Sequence, residues 1–265
     1  MPLAYYSRSA TEAFWSEHWG GQSVEELLRI ARASPLTRLI EAHLPPSGLL
    51  LEAGCGLGQY VLLFRERGRP AVGADWSLEA VRDGARAGAP LAVMDLRTLA
   101  VRSRSVAAYL SLGVVEHDPA GPDGIVAEAA RVIPPGGVLL LSVPYWNGAR
   151  LLLAPLLRRQ GRQALEDGGQ FYQFAFTRRE VRGFLEPHGF TVRCFHPYDP
   201  GRLVRKALRA ALGRDREAEG RGGGPTGRGK DAGRSALKQF GRRCLYTPPA
   251  LRLLGHMILA VAVRR

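Results

Sequence analysis

The sequence predicts an α/β fold in which a mostly parallel, doubly wound sheet is flanked by helices. Two observations carry this prediction. After the break at residues 45–48, short apolar runs alternate with helical stretches, which is typical of parallel strands crossed by helices. The first apolar run, residues 49–53, also leads directly into a glycine-rich loop at 54–58. We expect the last strand of the sheet to be antiparallel.

The elements follow in chain order. Residues 11–43 carry apolar residues at three- and four-residue spacing, so we expect residues 1–47 to form a helical lid over the domain. Thr177, with Glu180 three residues later, predicts a capped helix over 177–187. Strands are predicted at 49–53, 71–74, 91–94, 107–112, 137–143 and 190–195, and helices at 58–67, 77–87 and 122–133.

The chain divides into a core and a basic C-terminal part. The core is expected at residues 48–200, with an insertion at 146–176 after the fifth strand. Residues 201–265 form the C-terminal part, where a helix and a final strand at 256–263 follow residues 213–234. Those residues are dominated by Gly, Arg and Glu and lack apolar periodicity, which predicts a disordered loop.

Charge separates the same two parts. Residues 1–200 hold 21 Lys and Arg against 20 Asp and Glu, whereas residues 201–265 hold 16 against 4. A basic segment of this kind suits an anionic membrane surface, nucleic acid or an acidic protein, and we favour a membrane surface over nucleic acid. An arginine-rich composition that only aids solubility explains it equally well.

Composition argues against several classes of protein. Cys55, Cys194 and Cys244 are far apart and form no C-x-x-C pair, so we expect neither a disulfide framework nor a zinc site. The first residues lack a basic segment followed by an apolar run, and no stretch reaches the roughly 18 apolar residues of a membrane span. We therefore expect a cytoplasmic protein, with any membrane contact peripheral.

Polar residues follow three consecutive strands. The glycines of the loop let a ligand approach the backbone N–H groups at a helix start. Asp75 follows the second strand and could accept hydrogen bonds from both hydroxyls of a ribose. Asp95 follows the third and could accept from an adenine amino group, with Leu96 packing on the ring. Either acid alone could be a helix cap or a surface residue, but the three strand ends together predict a nucleoside-bearing cofactor.

The same segments resemble class I S-adenosylmethionine-dependent methyltransferases of the group that acts on small molecules. LEAGCGLGQY (51–60), VGADWS (72–77) and LAVMDL (91–96) are similar to the first three motifs of that family, and YLSLGVVEHDPAG (109–121) and RVIPPGGVLLLSVPY (131–145) to its fourth and fifth strands. The resemblance implies a Rossmann-like sheet, S-adenosylmethionine as cofactor, S-adenosylhomocysteine as product, and no metal. Many relatives carry an acid before the fourth strand, whereas residues 103–107 hold none.

The resemblance also implies which residues contact the cofactor. Asp75 would bind the ribose, Trp76 would flank the adenine, and Asp95 and Leu96 would bind the adenine edge. The methionine part would lie against Glu52 and the loop residues Gly54, Cys55, Gly56 and Gly58, and the sulfonium above Ser111, Leu112 and Gly113.

A dinucleotide-dependent oxidoreductase is the alternative enzyme class. Its fingerprint is G-x-G-x-x-G, whereas Gly54, Gly56 and Gly58 give G-x-G-x-G. Asp95 has no obvious role in such an enzyme. The spacing therefore favours the methyltransferase.

Methyl transfer is a direct displacement, so a general base is optional. His117, just after the fourth strand, is the candidate base, although a histidine there could equally cap a helix or bond the backbone. Glu116 is similarly ambiguous. Aromatic and polar residues around the core favour a flat or apolar acceptor, or else form the packing under the lid: Tyr5, Tyr6, Phe14, Trp15, Trp19, Tyr145, Trp146, Asn147, Phe171, Tyr172 and Phe174.

The sequence thus predicts a methyltransferase for a small-molecule acceptor. A membrane-associated lipid or an RNA acceptor is the alternative, motivated by the basic C-terminal part and by the stretch LLLAPLLRR at 151–159. A protein that binds S-adenosylmethionine without catalysis is a third.

Overall fold

The computed structural model describes residues 2–7, 9–202 and 245–265. The loop expected at 213–234 and Cys244 lie outside these residues. The helices described are α1 (Glu12–Gly20), α2 (Val24–Ala33), α3 (Pro35–Glu41), α4 (Gln59–Glu66), α5 (Leu78–Arg86), α6 (Asp123–Val132), α7 (Gly148–Leu152), α8 (Ala154–Glu166), α9 (Arg178–Leu185) and α10 (Pro248–Leu254). The strands are β1 (Leu3–Ser7), β2 (Leu50–Ala53), β3 (Ala71–Asp75), β4 (Leu91–Val93), β5 (Ala108–Leu112), β6 (Val138–Pro144), β7 (Gln170–Ala175), β8 (Phe190–Tyr198) and β9 (Met257–Arg264).

The central sheet of the described chain has seven strands in the order β4-β3-β2-β5-β6-β9-β8. Strands β2 to β6 are parallel to one another, and β9 is antiparallel to both β6 and β8. This confirms the predicted fold class, including the antiparallel last strand.

Helices cover both faces of the sheet because its central strands are apolar on both sides. Side chains alternate between the two faces along β6: Leu139 and Leu141 pack with α6 and α9, whereas Val138 and Leu140 pack with α2, α3 and α4. A strand buried on both faces has a continuous apolar sequence, and β6 reads VLLLSVP with every residue buried. The arrangement is that of a doubly wound domain.

The lid differs from the single helical segment expected at 1–47. Ser23 and Ser34 each cap a new helix, and Pro35 occupies the first turn of α3, so the periodic region is divided into α1, α2 and α3. The first residues form a strand: β1 pairs antiparallel with β7, with Leu3 opposite Ala175 and a register shift between Tyr5 and Tyr6. We call this pair the β1–β7 ribbon.

The insertion consists of α7, α8 and β7. It returns to the core at α9, where the capping box predicted from Thr177 and Glu180 is present: the Glu180 N–H donates to Thr177 Oγ1 at 3.2 Å, and the Thr177 N–H donates to Glu180 Oε2 at 2.9 Å. Within the part of the chain that the structure describes, no helix is long and apolar enough to cross a lipid bilayer.

Candidate active site

A cavity of about 840 Å³ opens at the carboxyl ends of the parallel strands. In open α/β sheets this edge is where ligands bind, because the loops there are free to diverge. Its wall includes the acids Glu52, Asp75 and Asp95, and we call the part beside them the cofactor end, after the role predicted for them. Its wall also includes Trp15, His117 and Phe171, and we call the part beside them the acceptor end for the same reason.

The glycine loop that follows β2 is held by backbone bonds. The N–H groups of Gly54 and Cys55 both donate to the Ala74 carbonyl, at 2.8 and 3.1 Å, so the loop folds against the end of β3. Gly54 has a φ of +79° and Gly56 a φ of +53°, in the region that favours glycine. A Cβ at Gly54 would lie 2.3 Å from Val114 Cγ2, so glycine is also required for packing there.

Asp75 joins β3 to this loop. Its Oδ2 accepts from the Gly56 N–H at 2.8 Å, and its Oδ1 accepts from the Ser77 N–H at 3.0 Å. Burial raises the pKa of Asp75, and these backbone N–H groups oppose that rise. Each carboxylate oxygen keeps a further lone pair, and Asp75 lines the cavity, so the carboxylate can still accept from a ligand hydroxyl.

Glu52 is the most deeply buried acid of the cavity wall, with 2% of its surface exposed. Its Oε2 has no hydrogen-bond partner among the described residues. Burial raises the pKa of Glu52 well above its usual range, and the nearby Asp75 carboxylate raises it further. A buried carboxylate oxygen without a partner favours a ligand that brings a donor or a positive charge.

Asp95 forms a salt bridge with Arg97, which the sequence analysis did not identify. Its carboxylate accepts from the Arg97 N–H at 2.9 Å and from Arg97 Nη2 at 2.9 Å. This pairing lowers the pKa of Asp95, so it is ionised at neutral pH. Arg97 also lines the cavity and lies 3.9 Å from Asp118 Oδ2. The adenine-binding role predicted for Asp95 would therefore be shared with a guanidinium group.

The remaining predicted cofactor residues fall into two groups. Six of them line the cavity, and among these Trp76 is 41% exposed: Gly54, Cys55, Trp76, Leu96, Leu112 and Gly113. The others lie behind its wall: Gly56, Gly58 and Ser111.

His117 ends a short 3₁₀ turn, Val115–His117, after β5. Its Nδ1 lies 2.8 Å from the Tyr172 carbonyl oxygen. A carbonyl only accepts, so Nδ1 carries the proton and Nε2 of the neutral ring keeps a free lone pair. Burial lowers the pKa of His117, so the ring is neutral at physiological pH and is able to take up a proton.

The acceptor end is covered by the aromatic face of α1. The Trp15 ring meets His117 edge-to-face with centroids 4.9 Å apart, and His117 meets Tyr172 at 5.1 Å. Trp19 lies on the glycine loop, because a Cβ at Gly56 would come within 2.5 Å of its ring. Ser16 Oγ fixes α1 to α5 by donating to Glu79 Oε2 at 2.7 Å. The lid thus contacts both ends of the cavity.

Of the predicted acceptor residues, Trp15, Trp19 and Phe171 line the cavity. Asn147 lies elsewhere: it is fully buried, caps α7 by accepting from the Arg150 N–H at 2.9 Å, and donates to the Gly255 carbonyl at 2.8 Å. The others that lie outside the cavity wall are Tyr5, Tyr6, Phe14, Tyr145, Trp146, Tyr172 and Phe174. Tyr5 and Trp146 instead pack with Leu3 beneath the β1–β7 ribbon.

Several cavity residues carried no signal that the sequence analysis used. They come from α3, α4, the loop after β5 and the strands β7, β8 and β9, and only a tertiary fold brings them together: Leu36, Gln59, Tyr60, Asp118, Gln170, Tyr198 and Met257.

Comparison with known proteins agrees with this geometry. A family model described as a methyltransferase domain matches residues 51–141, the segment that runs from β2 to β6. The mouse protein "Probable tRNA methyltransferase 9B" is 26% identical over 210 residues, which is 71% of this chain and 46% of that protein. Its human counterpart is 30% identical over 115 residues, 43% of this chain. The chain spans less than half the length of these curated relatives.

Solved structures share the fold over most of the chain. A geranyl diphosphate C-methyltransferase from Streptomyces coelicolor A3(2), determined with Mg²⁺, geranyl diphosphate and S-adenosylhomocysteine, has a TM-score of 0.57 at 17% identity and covers 91% of this chain, over 83% of its own. A SAM-dependent methyltransferase from Archaeoglobus fulgidus has a TM-score of 0.55 at 13% identity, with 95% of this chain and 98% of that chain covered. At these identities the likeness establishes the fold. Residues 51–141 thus match a methyltransferase domain, and they lie within a fold that is shared with solved S-adenosylmethionine-dependent methyltransferases.

Proposed function

We propose that this protein methylates a small-molecule acceptor that has a flat or apolar portion, using S-adenosylmethionine. The observation that carries the proposal is the continuity of the cavity, from the carboxylates Glu52 and Asp75 to Trp15 and Phe171 at the far end. A site roofed by α1 and the β1–β7 ribbon suits an acceptor that is enclosed within it. The aromatic wall suits a planar or apolar group.

The residues of the cofactor end fit the cofactor. S-adenosylmethionine supplies a methyl carbon that a nucleophile can attack directly. Its methionine part carries an ammonium group, for which the unpartnered Glu52 Oε2 is a suitable acceptor. Asp75 would accept from the ribose hydroxyls, and Trp76 and Leu96 would provide apolar surface for the adenine.

His117 is proposed to take the proton of an acceptor O–H or N–H. Its Nδ1 is fixed on the Tyr172 carbonyl, so Nε2 is the atom left to act. The ring is held edge-on by Trp15, which limits its rotation. Because burial lowers the pKa of His117, the rate should be flat at neutral pH and fall as the pH drops below about 6.5, the ordinary value for histidine.

The test is His117→Asn, which keeps a donor for the Tyr172 carbonyl and removes the base. We expect the turnover rate at pH 7.5 to fall by about 10² to 10⁴, with unchanged affinity for S-adenosylmethionine. Formation of S-adenosylhomocysteine from a panel of acceptors measures turnover, and calorimetry measures cofactor binding. Turnover unaffected by the substitution would remove His117 from the mechanism. Cofactor binding with no turnover on any acceptor would favour the non-catalytic alternative.

A second candidate, an acceptor held at an anionic membrane, is favoured by the surface of α7 and α8. Leu152 is 79% exposed, and Leu151, Leu153 and Leu156 are about half exposed beside the exposed Arg159. Exposed leucines beside arginines are typical of helices that lie in a membrane interface. The basic residues of 201–265 would add attraction to anionic lipid.

Vesicle co-sedimentation distinguishes these candidates. Binding of the full chain to anionic vesicles at low salt should be lost in the double variant Leu152→Ser/Leu156→Ser. It should be kept in the control Ile30→Ser, since Ile30 on α2 is as exposed as Leu156. No vesicle binding by the wild type would refute the membrane candidate. The name of the mouse relative motivates tRNA as a third arm, and methylation of tRNA by the wild type would refute both small-molecule and lipid acceptors.

A further inference from the structure

Three side chains that bind metals meet outside the cavity, where the end of α3 contacts β8. His43 follows α3, and Cys194 and His196 belong to β8. Nε2 of His43 and Nε2 of His196 are 2.8 Å apart, and Cys194 Sγ lies 3.3 Å from His196 Nε2 and 3.9 Å from His43 Nε2. All three residues are partly buried. We call them the His43–Cys194–His196 cluster.

A β-bulge brings the two residues of β8 to this face. Val192 pairs with Ala262, but Cys194 pairs with Val261, so Arg193 is an extra residue in the strand. The bulge reverses the alternation of side chains. Phe190 and Val192 therefore pack into the core under α6 and α9, whereas Cys194 faces the helices on the other side of the sheet.

The separations within the cluster suit a single small cation. A tetrahedral zinc ion, with bonds of about 2.0 Å to nitrogen and about 2.3 Å to sulfur, holds its ligand atoms about 3.3 to 3.6 Å apart. The three observed distances bracket that range, so shifts of about 0.5 Å would bring the atoms into place. Two imidazoles and one thiolate form a donor set that prefers zinc over magnesium or calcium.

We propose that the His43–Cys194–His196 cluster binds one Zn²⁺ ion, with the fourth position open to water or to an external ligand. The proposal does not depend on methyl transfer. It also departs from the sequence-based expectation of no zinc site, which rested on the lack of paired cysteines. The competing explanation is a metal-free cluster in which one histidine donates to the other across the 2.8 Å contact.

Bound zinc would hold together two elements of the cavity wall, α3 and β8. Leu36 of α3 and Tyr198 of β8 both line the cavity, and the cluster joins the same two elements. An ion there would hold the lid segment to the far edge of the sheet. Zinc at this position would stabilise the fold whether or not an acceptor is present.

Cobalt provides a direct probe, because Co²⁺ takes zinc-type sites and absorbs light when a thiolate is bound to it. We expect one equivalent of Co²⁺ to give a thiolate charge-transfer band with the metal-free full chain, and Zn²⁺ to displace it. Cys194→Ser should abolish the band, and His43→Gln or His196→Gln should weaken Co²⁺ binding by more than about a hundredfold. The matched controls Cys244→Ser and His188→Gln should leave the band unchanged.

Thermal unfolding gives a second measurement of metal binding, which does not depend on the cobalt absorption band. Zn²⁺ should raise the Tm of the wild type and of both control variants, and should leave the Tm of Cys194→Ser unchanged. A metal-free melting curve for each variant shows that it folds. A wild type without a thiolate band, or a band that survives in Cys194→Ser, would overturn the proposal and leave a hydrogen-bonded histidine pair.

Discussion

The cofactor end and the acceptor end of the cavity are built by different means. At the cofactor end, backbone N–H groups of the glycine loop bond to Asp75 and Ala74, so the wall is fixed by neighbouring parallel strands. At the acceptor end, Trp15 and His117 meet through ring edges and belong to segments that are remote in sequence. The difference teaches that the wall of the cofactor end is encoded by neighbouring strands, whereas the wall of the acceptor end forms only once α1 has docked.

The largest expected effect tests how tightly the cofactor end is packed. Gly54→Ala combines a left-handed backbone with a carbon 2.3 Å from Val114 Cγ2, so we expect the free energy of unfolding to fall by about 3 to 4 kcal/mol. Urea unfolding measures it. Gly54→Ala should also lower the affinity for S-adenosylmethionine, because the glycine loop must shift to accommodate the added carbon.

The control for this substitution is Gly68→Ala. Gly68 has a similar φ of +73°, but a Cβ there would have no neighbour within 4 Å. It should lose only about 1 kcal/mol, the cost of the backbone conformation. Val114→Ala in the Gly54→Ala background should recover part of the difference. Equal losses for Gly54→Ala and Gly68→Ala would mean that backbone conformation alone requires the glycine.

The next effect concerns cofactor affinity. Asp75→Ala should weaken binding of S-adenosylmethionine by about a hundredfold, or about 3 kcal/mol, because two charge-assisted hydrogen bonds are lost. Calorimetry measures the change. Since Asp75 also accepts from the N–H groups of Gly56 and Ser77, circular dichroism must show a folded variant. Unchanged affinity in a folded variant would exclude Asp75 from the ribose site.

A pH-dependent effect of similar size is expected at Glu116, a fully buried acid in the 3₁₀ turn after β5. Burial raises the pKa of Glu116 to about 8, so the folded protein keeps a proton that the unfolded chain releases above about pH 4.3. Stability is therefore lost as the pH rises from about 4.3 towards the folded value, by up to about 1.4 kcal/mol per pH unit. Glu116→Gln cannot release a proton.

Melting temperatures at pH 5 and pH 8 test this. The Tm advantage of Glu116→Gln over the wild type should grow between the two values. Glu52 has a pKa raised in the same direction, but it is present in both proteins and cancels in the difference. Parallel curves for the two proteins would show that Glu116 is ionised in the folded state.

The smallest effect compares one tryptophan from each end. Trp15→Ala should raise the KM for the acceptor about tenfold, because it removes one aromatic contact worth about 1.4 kcal/mol. The affinity for S-adenosylmethionine should change by no more than about twofold. Trp76→Ala should show the reverse pattern. Steady-state kinetics with an acceptor that the wild type methylates measures the KM, and calorimetry measures the affinity for S-adenosylmethionine. The same pattern in both variants would mean that the ends are not separable.

The sequence predicted the core better than the lid for a physical reason. The interior strands are continuous apolar runs bounded by turn residues, and the predicted bounds of β2 and β6 agree with the structure to within a residue. Asp75 was correctly expected at the carboxyl edge of the sheet, where it lines the cavity, because the end of a parallel strand fixes where the next residue points. Arg97 was missed, since an arginine two residues after an acid looks like any surface residue.

Non-local pairing accounts for the features of the fold that the sequence did not predict. The β1–β7 ribbon joins Leu3 to Ala175, and no local pattern specifies a partner that distant. The bulge at Arg193 reverses which side of the sheet Cys194 faces, so simple alternation would have placed it on the opposite face. Both features arise where tertiary contacts, rather than short-range periodicity, choose the conformation.

The position of β9 has a consequence for synthesis of the protein. β8 joins the described sheet only through β9, which is made much later than β8 although it lies between β6 and β8 in space. A nascent chain that ends before Met257 already holds the glycine loop and Asp75, yet it exposes an unpaired edge on β6 and leaves β8 without a place in the sheet. Such edges pair readily with other chains. A ribosome stalled between β8 and β9 would therefore release a fragment that carries the glycine loop but is prone to aggregate.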